Sequence, residues 1–141
     1  MRKAVAGLAI LACWAVSLLV PAVDTATSSG ANAPTGWDIA MIGWLGPLTG
    51  QFGWFANLLL IPAIGLAAGQ YGRAPRARLI IGSVMLILAL NSALWVDIPL
   101  DSGRDEITSY RIGYWLWMAA ISSCGLWLVG SGHREAERRA E

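Results

Sequence analysis

Four uncharged apolar runs dominate the chain, at residues 4–23, 52–69, 79–96 and 112–129. At about 1.5 Å per residue, each is long enough as a helix to approach or cross a hydrocarbon core of roughly 30 Å. Charged residues make up 13% of the 141, about half the share usual in a globular domain, and nothing is left over for a second folded unit. The expected fold class is all-α, an integral membrane four-helix bundle over residues 1–130, with a charged tail at 131–141.

The second run is preceded by a stretch that does not read as a plain helix. Gly43-Trp44-Leu45-Gly46-Pro47-Leu48-Thr49-Gly50 is broken by glycine and proline, yet it is too apolar for an ordinary soluble loop. Residues 39–48 are about ten long, too short to cross, so they are expected as an extra interfacial or re-entrant segment before the second span. Gly46-Pro47 and Gly50 should end any helix there. A long second span that includes this segment is the other reading. Pro62 should kink the second span, and Gly65 and Gly69 offer a small-residue face to a neighbouring helix.

The basic residues are distributed unevenly between the runs. If the odd runs cross outward and the even ones inward, Arg2, Lys3, Arg73, Arg76, Arg78, Arg134, Arg138 and Arg139 share one side. Only Arg104 and Arg111 fall on the other. By the positive-inside rule the first side is cytoplasmic, and both termini lie there. Trp37, Trp44, Trp54, Trp95, Trp115 and Trp117 then gather at the outer boundary, while Trp14 and Trp127 do not. Met1-Arg2-Lys3 ahead of an apolar run also describes a secretory signal with Val20-Pro21-Ala22 as its cleavage site, but the run is longer than such signals usually are.

The chemistry consists mostly of exclusions. No Asp, Glu, Lys, Arg or His lies in the middle of any of the four runs, which argues against a proton relay or an intramembrane catalytic pair. The single histidine, His133, sits in the tail, so no histidine-based haem or zinc site is expected. Catalytic residues, metal ligands and cofactors are all expected to be absent. The net charge of +1 gives no reason to expect nucleic acid. Cys13 and Cys124 lie inside apolar runs and read as small fillers, not as a disulfide. Asp101, Asp105 and Glu106 read as a solvated surface in preference to a cation site.

One polar-aromatic group stands out. Asn57 lies about five residues inside the outer start of the second run and Asn91 about five inside the outer end of the third, so both are roughly 8 Å deep. An amide in hydrocarbon is costly unless paired, so both are expected to face inward and bond each other or nearby backbone. Trp54, Asn57, Asn91, Ser92, Trp95 and Tyr114 form the candidate cluster. It is either structural linkage between helices or a shallow outward-facing pocket covered by the Gly43–Gly50 segment.

The motifs Gly43-Trp44-x-Gly46, Trp54-x-Ala56-Asn57-Leu58-Leu59 and Gly113-Tyr114-Trp115-Leu116-Trp117 resemble those of small four-span bacterial inner-membrane proteins of uncharacterised function. In those proteins the middle motif commonly has a proline where Leu58 stands here. The resemblance implies the architecture and a bacterial cytoplasmic membrane, and it supplies no activity. The expected function is a non-enzymatic accessory, interaction or immunity-type component, with the lipid bilayer and a membrane protein or further copies of itself as partners. The alternative is a small transporter or channel-like oligomer. An enzyme acting at the outer face lacks a base, a metal ligand set and a paired nucleophile.

Overall fold

A computed structural model describes residues 2–69, 74–100 and 103–140, so Arg73 and Asp101 lie outside the described residues. The protein is mostly helical: α1 is Arg2–Leu19, α2 Gly36–Ile42, α3 Ala56–Ala68, α4 Pro75–Ser92 and α5 Ile112–Ala140. Three short strands, β1 Val23–Thr25, β2 Asp97–Leu100 and β3 Gly103–Tyr110, form an antiparallel sheet in the order β1-β3-β2. This sheet corrects the all-α expectation.

Buried positions on the long helices recur every three or four residues. They are Ala56, Leu60, Ala63 and Ala67 on α3, then Arg78, Gly82, Met85, Ala89 and Ser92 on α4. On α5 they are Ile121, Cys124 and Leu128, with Tyr114 two turns earlier. That spacing is the seam of helices packed at a shallow angle. α5 packs against α1, α3 and α4, and α3 also touches α1 and α4. The seam residues are mostly small. A β-carbon on Gly82 would lie 2.8 Å from the Gly125 carbonyl oxygen, so α4 and α5 meet backbone to backbone there. Gly132 on α5 likewise lies against the start of α4, 3.0 Å from the Pro75 carbonyl oxygen by the same measure. Cys124 is buried in the core, and Cys13 and Cys124 are both free thiols.

Many other large apolar side chains point outward. Val5, Leu8 and Val16 on α1, Leu58 and Ile61 on α3, and Ile80, Ile87 and Leu90 on α4 are all exposed, as is Leu126 on α5. By length and composition, Pro75–Ser92 and Ile112–Arg138 are long and apolar enough to cross a membrane, whereas Lys3–Leu19 and Gly53–Ala68 are apolar but shorter. Two expected spans are therefore shorter as helices than as apolar runs. The run 4–23 stops being helical at Leu19, Pro21 bridges to Thr35, and Val23 enters the sheet. The run 52–69 begins with a 3-10 turn, Gly53–Phe55, and becomes α-helical only at Ala56. The run 79–96 is shifted instead, since α4 spans 75–92. α5 continues through the charged tail.

The sheet lies where α1 ends and α5 begins, opposite the end at which α4 begins and α3 finishes. We call these the sheet end and the basic end. At the basic end Arg78 is not a solvated connector residue. It is buried, its Nε donates to the Leu66 carbonyl at 3.1 Å, and its guanidinium meets Glu135 at 2.7 Å. A cation on a carbonyl of the last turn of α3 opposes that helix's negative dipole end, so one side chain ties α3, α4 and α5 together.

Candidate functional site

The segment from α2 to the start of α3 folds over the sheet end of the bundle. α2 starts at a capping box: the Asp38 N–H donates to Thr35 Oγ1 at 3.3 Å, and the Thr35 N–H donates to Asp38 Oδ2 at 2.8 Å. The spacing Thr35-x-x-Asp38 was a readable start signal. A 3-10 helix, Gly43–Thr49, follows and runs through Pro47. It ends at Gly50, whose φ of +78° is a left-handed conformation that glycine adopts without strain. Glycine also sets how closely this segment lies on the bundle. A β-carbon on Gly43 would sit 2.1 Å from Trp54 Cδ1, and one on Gly53 would sit 1.6 Å from Ser92 Oγ.

Asn57 is the hub beneath this lid. Its Oδ1 accepts the indole N–H of Trp14 at 2.9 Å and that of Trp117 at 2.8 Å, and its Nδ2 donates to the Trp54 carbonyl at 2.9 Å. One amide thereby links α1, α3 and α5. The Trp54 indole N–H donates to the Ala40 carbonyl at 2.8 Å, which fastens α2 to the same group. Tyr114 Oη donates to the Ser92 carbonyl at 3.0 Å, and Ser92 Oγ donates to the Leu88 carbonyl at 3.2 Å.

Asn57 and Asn91 do not bond each other. Asn91 Oδ1 accepts from the Phe52 N–H at 2.6 Å, and its Nδ2 donates to the Gly50 carbonyl at 3.2 Å, so it anchors the exit of the lid. Of the six candidate residues, Trp54, Asn57, Ser92, Trp95 and Tyr114 line a common cavity of about 80 Å³, and Asn91 does not. Trp14 is the member that sequence reasoning missed. Counting the first run to Val23 sets Trp14 too deep. With the helix ending at Leu19 it lies five residues inside, the level of Asn57.

Above the cavity the sheet is held by side-chain carboxylates. Asp24 Oδ2 accepts from Arg111 Nε at 2.7 Å and from Ser109 Oγ at 2.7 Å. The Arg111 bond, with Ser109 after it, holds the Asp24 carboxyl below the usual carboxylate range. Asp105 is buried and accepts from the Thr27 backbone N–H and from the Thr27 hydroxyl. Bonds from the Thr25 and Thr27 side chains lower its pKa in turn. Asp105 is therefore structural, and only Glu106 of the three expected surface acids is both described and exposed. Among the described residues no three His, Cys, Asp or Glu side chains gather as a metal site would require.

No family model, no curated protein and no solved structure matches the chain. The site is therefore read from its own geometry.

Proposed function

We propose that the chain is a multi-pass protein of the bacterial cytoplasmic membrane in which α1, α3, α4 and α5 cross. Both termini are cytoplasmic and the sheet is external. In this reading it acts as a non-enzymatic accessory or interaction component, with immunity-type roles in the same class. The observation that carries the proposal is the closure of the polar cluster on itself. The Asn57 carbonyl is saturated by two indoles, and the Trp54 and Tyr114 donors are spent on backbone. What remains is a clamp between helices and a lid, with no acid or base among the residues around the cavity.

Several features support the membrane setting. Many large apolar side chains face outward on all four helices, and small residues such as Ala63, Ala67, Gly82 and Ala89 sit among Leu60, Met85 and Leu128 in the seams, which suits a lipid surround. The 16 residues of Gly53–Ala68 reach about 24 Å, and a bilayer thins to meet a short helix at modest cost. Trp37, Met41, Trp44 and Leu48 are exposed on the lid, where amphipathic aromatics would rest at the headgroup boundary. The charge asymmetry and the motif resemblance point the same way.

The transporter reading needs a polar path. Below Asn57 the core is Leu60, Ala63, Leu66, Met85 and Leu128, and Gly82 lies on Gly125, so a path through a single copy meets only apolar packing. A channel between copies is the form of that reading that remains. The test uses T108C and R138C, each in a background where Cys13 and Cys124 are replaced by serine and alanine. In intact cells an impermeant thiol reagent should label position 108 at once and position 138 only after permeabilisation. The reverse pattern overturns the topology. A stable homo-oligomer in mild detergent that passes ions in liposomes overturns the accessory role.

A further inference from the structure

The two ends of the bundle handle their charges differently. At the sheet end Arg104 pairs with Asp97 and Arg111 with Asp24. At the basic end Glu135 is taken by Arg78, and Glu137 faces His133 at 3.2 Å. Lys3, Arg76, Arg134 and Arg138 are exposed there, and among the described residues none of them meets a carboxylate. Arg76 also stands in the first turn of α4, which holds no acid and no side-chain cap, so it adds a cation to the positive end of that helix. The described fold leaves this charge uncompensated, and an anionic partner would lower its energy.

We infer that the basic end binds anionic phospholipid, with Arg76 on α4 and Arg134 and Arg138 on α5 facing the headgroup phosphate. Gly132 brings these cations to one level. A β-carbon there would sit 3.0 Å from the Pro75 carbonyl oxygen, so α5 meets the first turn of α4. Arg134 and Arg138 are one turn apart and share a face of α5. What favours a lipid over an acidic protein or a nucleic acid is the surface beside the cations. Ile80 follows Arg76 by one turn and Leu126 precedes Arg134 by two, and both side chains are exposed. The Arg134 guanidinium is itself folded back along α5, with Nη1 3.7 Å from where a β-carbon on Gly130 would sit. A phosphate held there has apolar helix faces beside it for its acyl chains. An acidic polymer would use the cations alone.

The lipid assignment rests on the proposed function only in setting this end at the cytoplasmic leaflet, where anionic lipids lie. The full chain in a neutral, mild detergent is titrated with dioleoylphosphatidylglycerol, and binding is read from the rise in unfolding midpoint. Dioleoylphosphatidylcholine, with the same chains and no net charge, should bind about tenfold more weakly or worse. R76Q/R134Q/R138Q should weaken phosphatidylglycerol binding about 100-fold, about fivefold for each cation removed. R104Q, which removes an exposed cation from the sheet end, should leave it unchanged. Should the triple variant fold poorly, R134Q alone should give the fivefold loss. Equal affinity for the two lipids, equal affinity in the arginine variants, or a loss as large in R104Q overturns the inference. Poly-glutamate producing the same arginine-dependent rise also overturns it, because the patch then serves an acidic chain. A titration in detergent is blind to orientation. Reversed labelling of positions 108 and 138 in cells would therefore sink the proposed topology while an arginine-dependent lipid selectivity stood.

Discussion

Replacing Asn57 with leucine removes one acceptor shared by two indoles. The Trp54 carbonyl also accepts the Ala56 backbone N–H, so losing its bond from Asn57 Nδ2 costs little. The Trp14 and Trp117 N–H groups have no such second partner in the cluster, and both are part-buried. Interhelical hydrogen bonds in membrane proteins average about 0.6 kcal/mol each, and an orphaned buried donor costs about 1–3 kcal/mol. Two orphans therefore cost about 2–6 kcal/mol, and leucine recovers about 1 kcal/mol by burying a larger apolar side chain. The expected net loss is about 1–5 kcal/mol, read as a lowered unfolding midpoint in detergent. The decisive comparison is the same N57L change made in a W14F/W117F background. With no indole N–H left to orphan, the leucine should be neutral or slightly stabilising. An equal loss in both backgrounds would refute the clamp and mean that leucine harms this site by shape alone.

Acid and a single added carbon should each perturb the fold in a defined way. The carboxyls of Asp24 and Asp105 titrate below their usual range in the fold, so the stability they add is complete above that range and is lost as pH falls through their lowered values. On acidification the near-ultraviolet circular dichroism of Trp95 and Tyr110, which are hydrogen-bonded at the sheet end, should fade before the helical signal. The D24N/D105N double variant should flatten that profile, and an unchanged profile would deny the carboxylates their role in the cap. At the α4–α5 crossing, G82A should lower stability by about 1–3 kcal/mol, because the new carbon meets the Gly125 carbonyl at 2.8 Å and the Leu128 β-carbon at 2.9 Å. S83A beside it is exposed and should stay within about 0.5 kcal/mol. Equal tolerance at the two positions would mean that the helices do not meet there.

The clearest contrast between sequence and fold is at the two asparagines. Counting residues inward from the ends of apolar runs gave Asn57 and Asn91 an expected common depth and nothing more. It could not assign partners, because which face of a helix meets which neighbour depends on crossings made far away in sequence. So Asn91 went to the lid backbone and Asn57 to two tryptophans, one of them Trp14, 43 residues earlier. The sheet was illegible for a related reason. Residues 103–110, Gly-Arg-Asp-Glu-Ile-Thr-Ser-Tyr, carry no alternating apolar face. Their pairing with β1 is fixed by backbone bonds and by Asp24, Arg111, Asp105 and Thr27, groups that look like ordinary surface polarity until the chain brings them together.

By itself, then, the sequence determined that apolar helices dominate and that no Asp, Glu, Lys, Arg or His lies inside the apolar runs. These are properties of composition and local order, and local physics suffices for them. Only the tertiary structure decided where those helices stop, that a small sheet caps them, and that Arg78 is buried against Leu66 and Glu135. It also decided that the broken glycine–tryptophan stretch is a lid over a small cavity. Each of those outcomes turns on a pairing between distant segments, where one backbone carbonyl, one indole or one missing β-carbon settles how closely two elements lie.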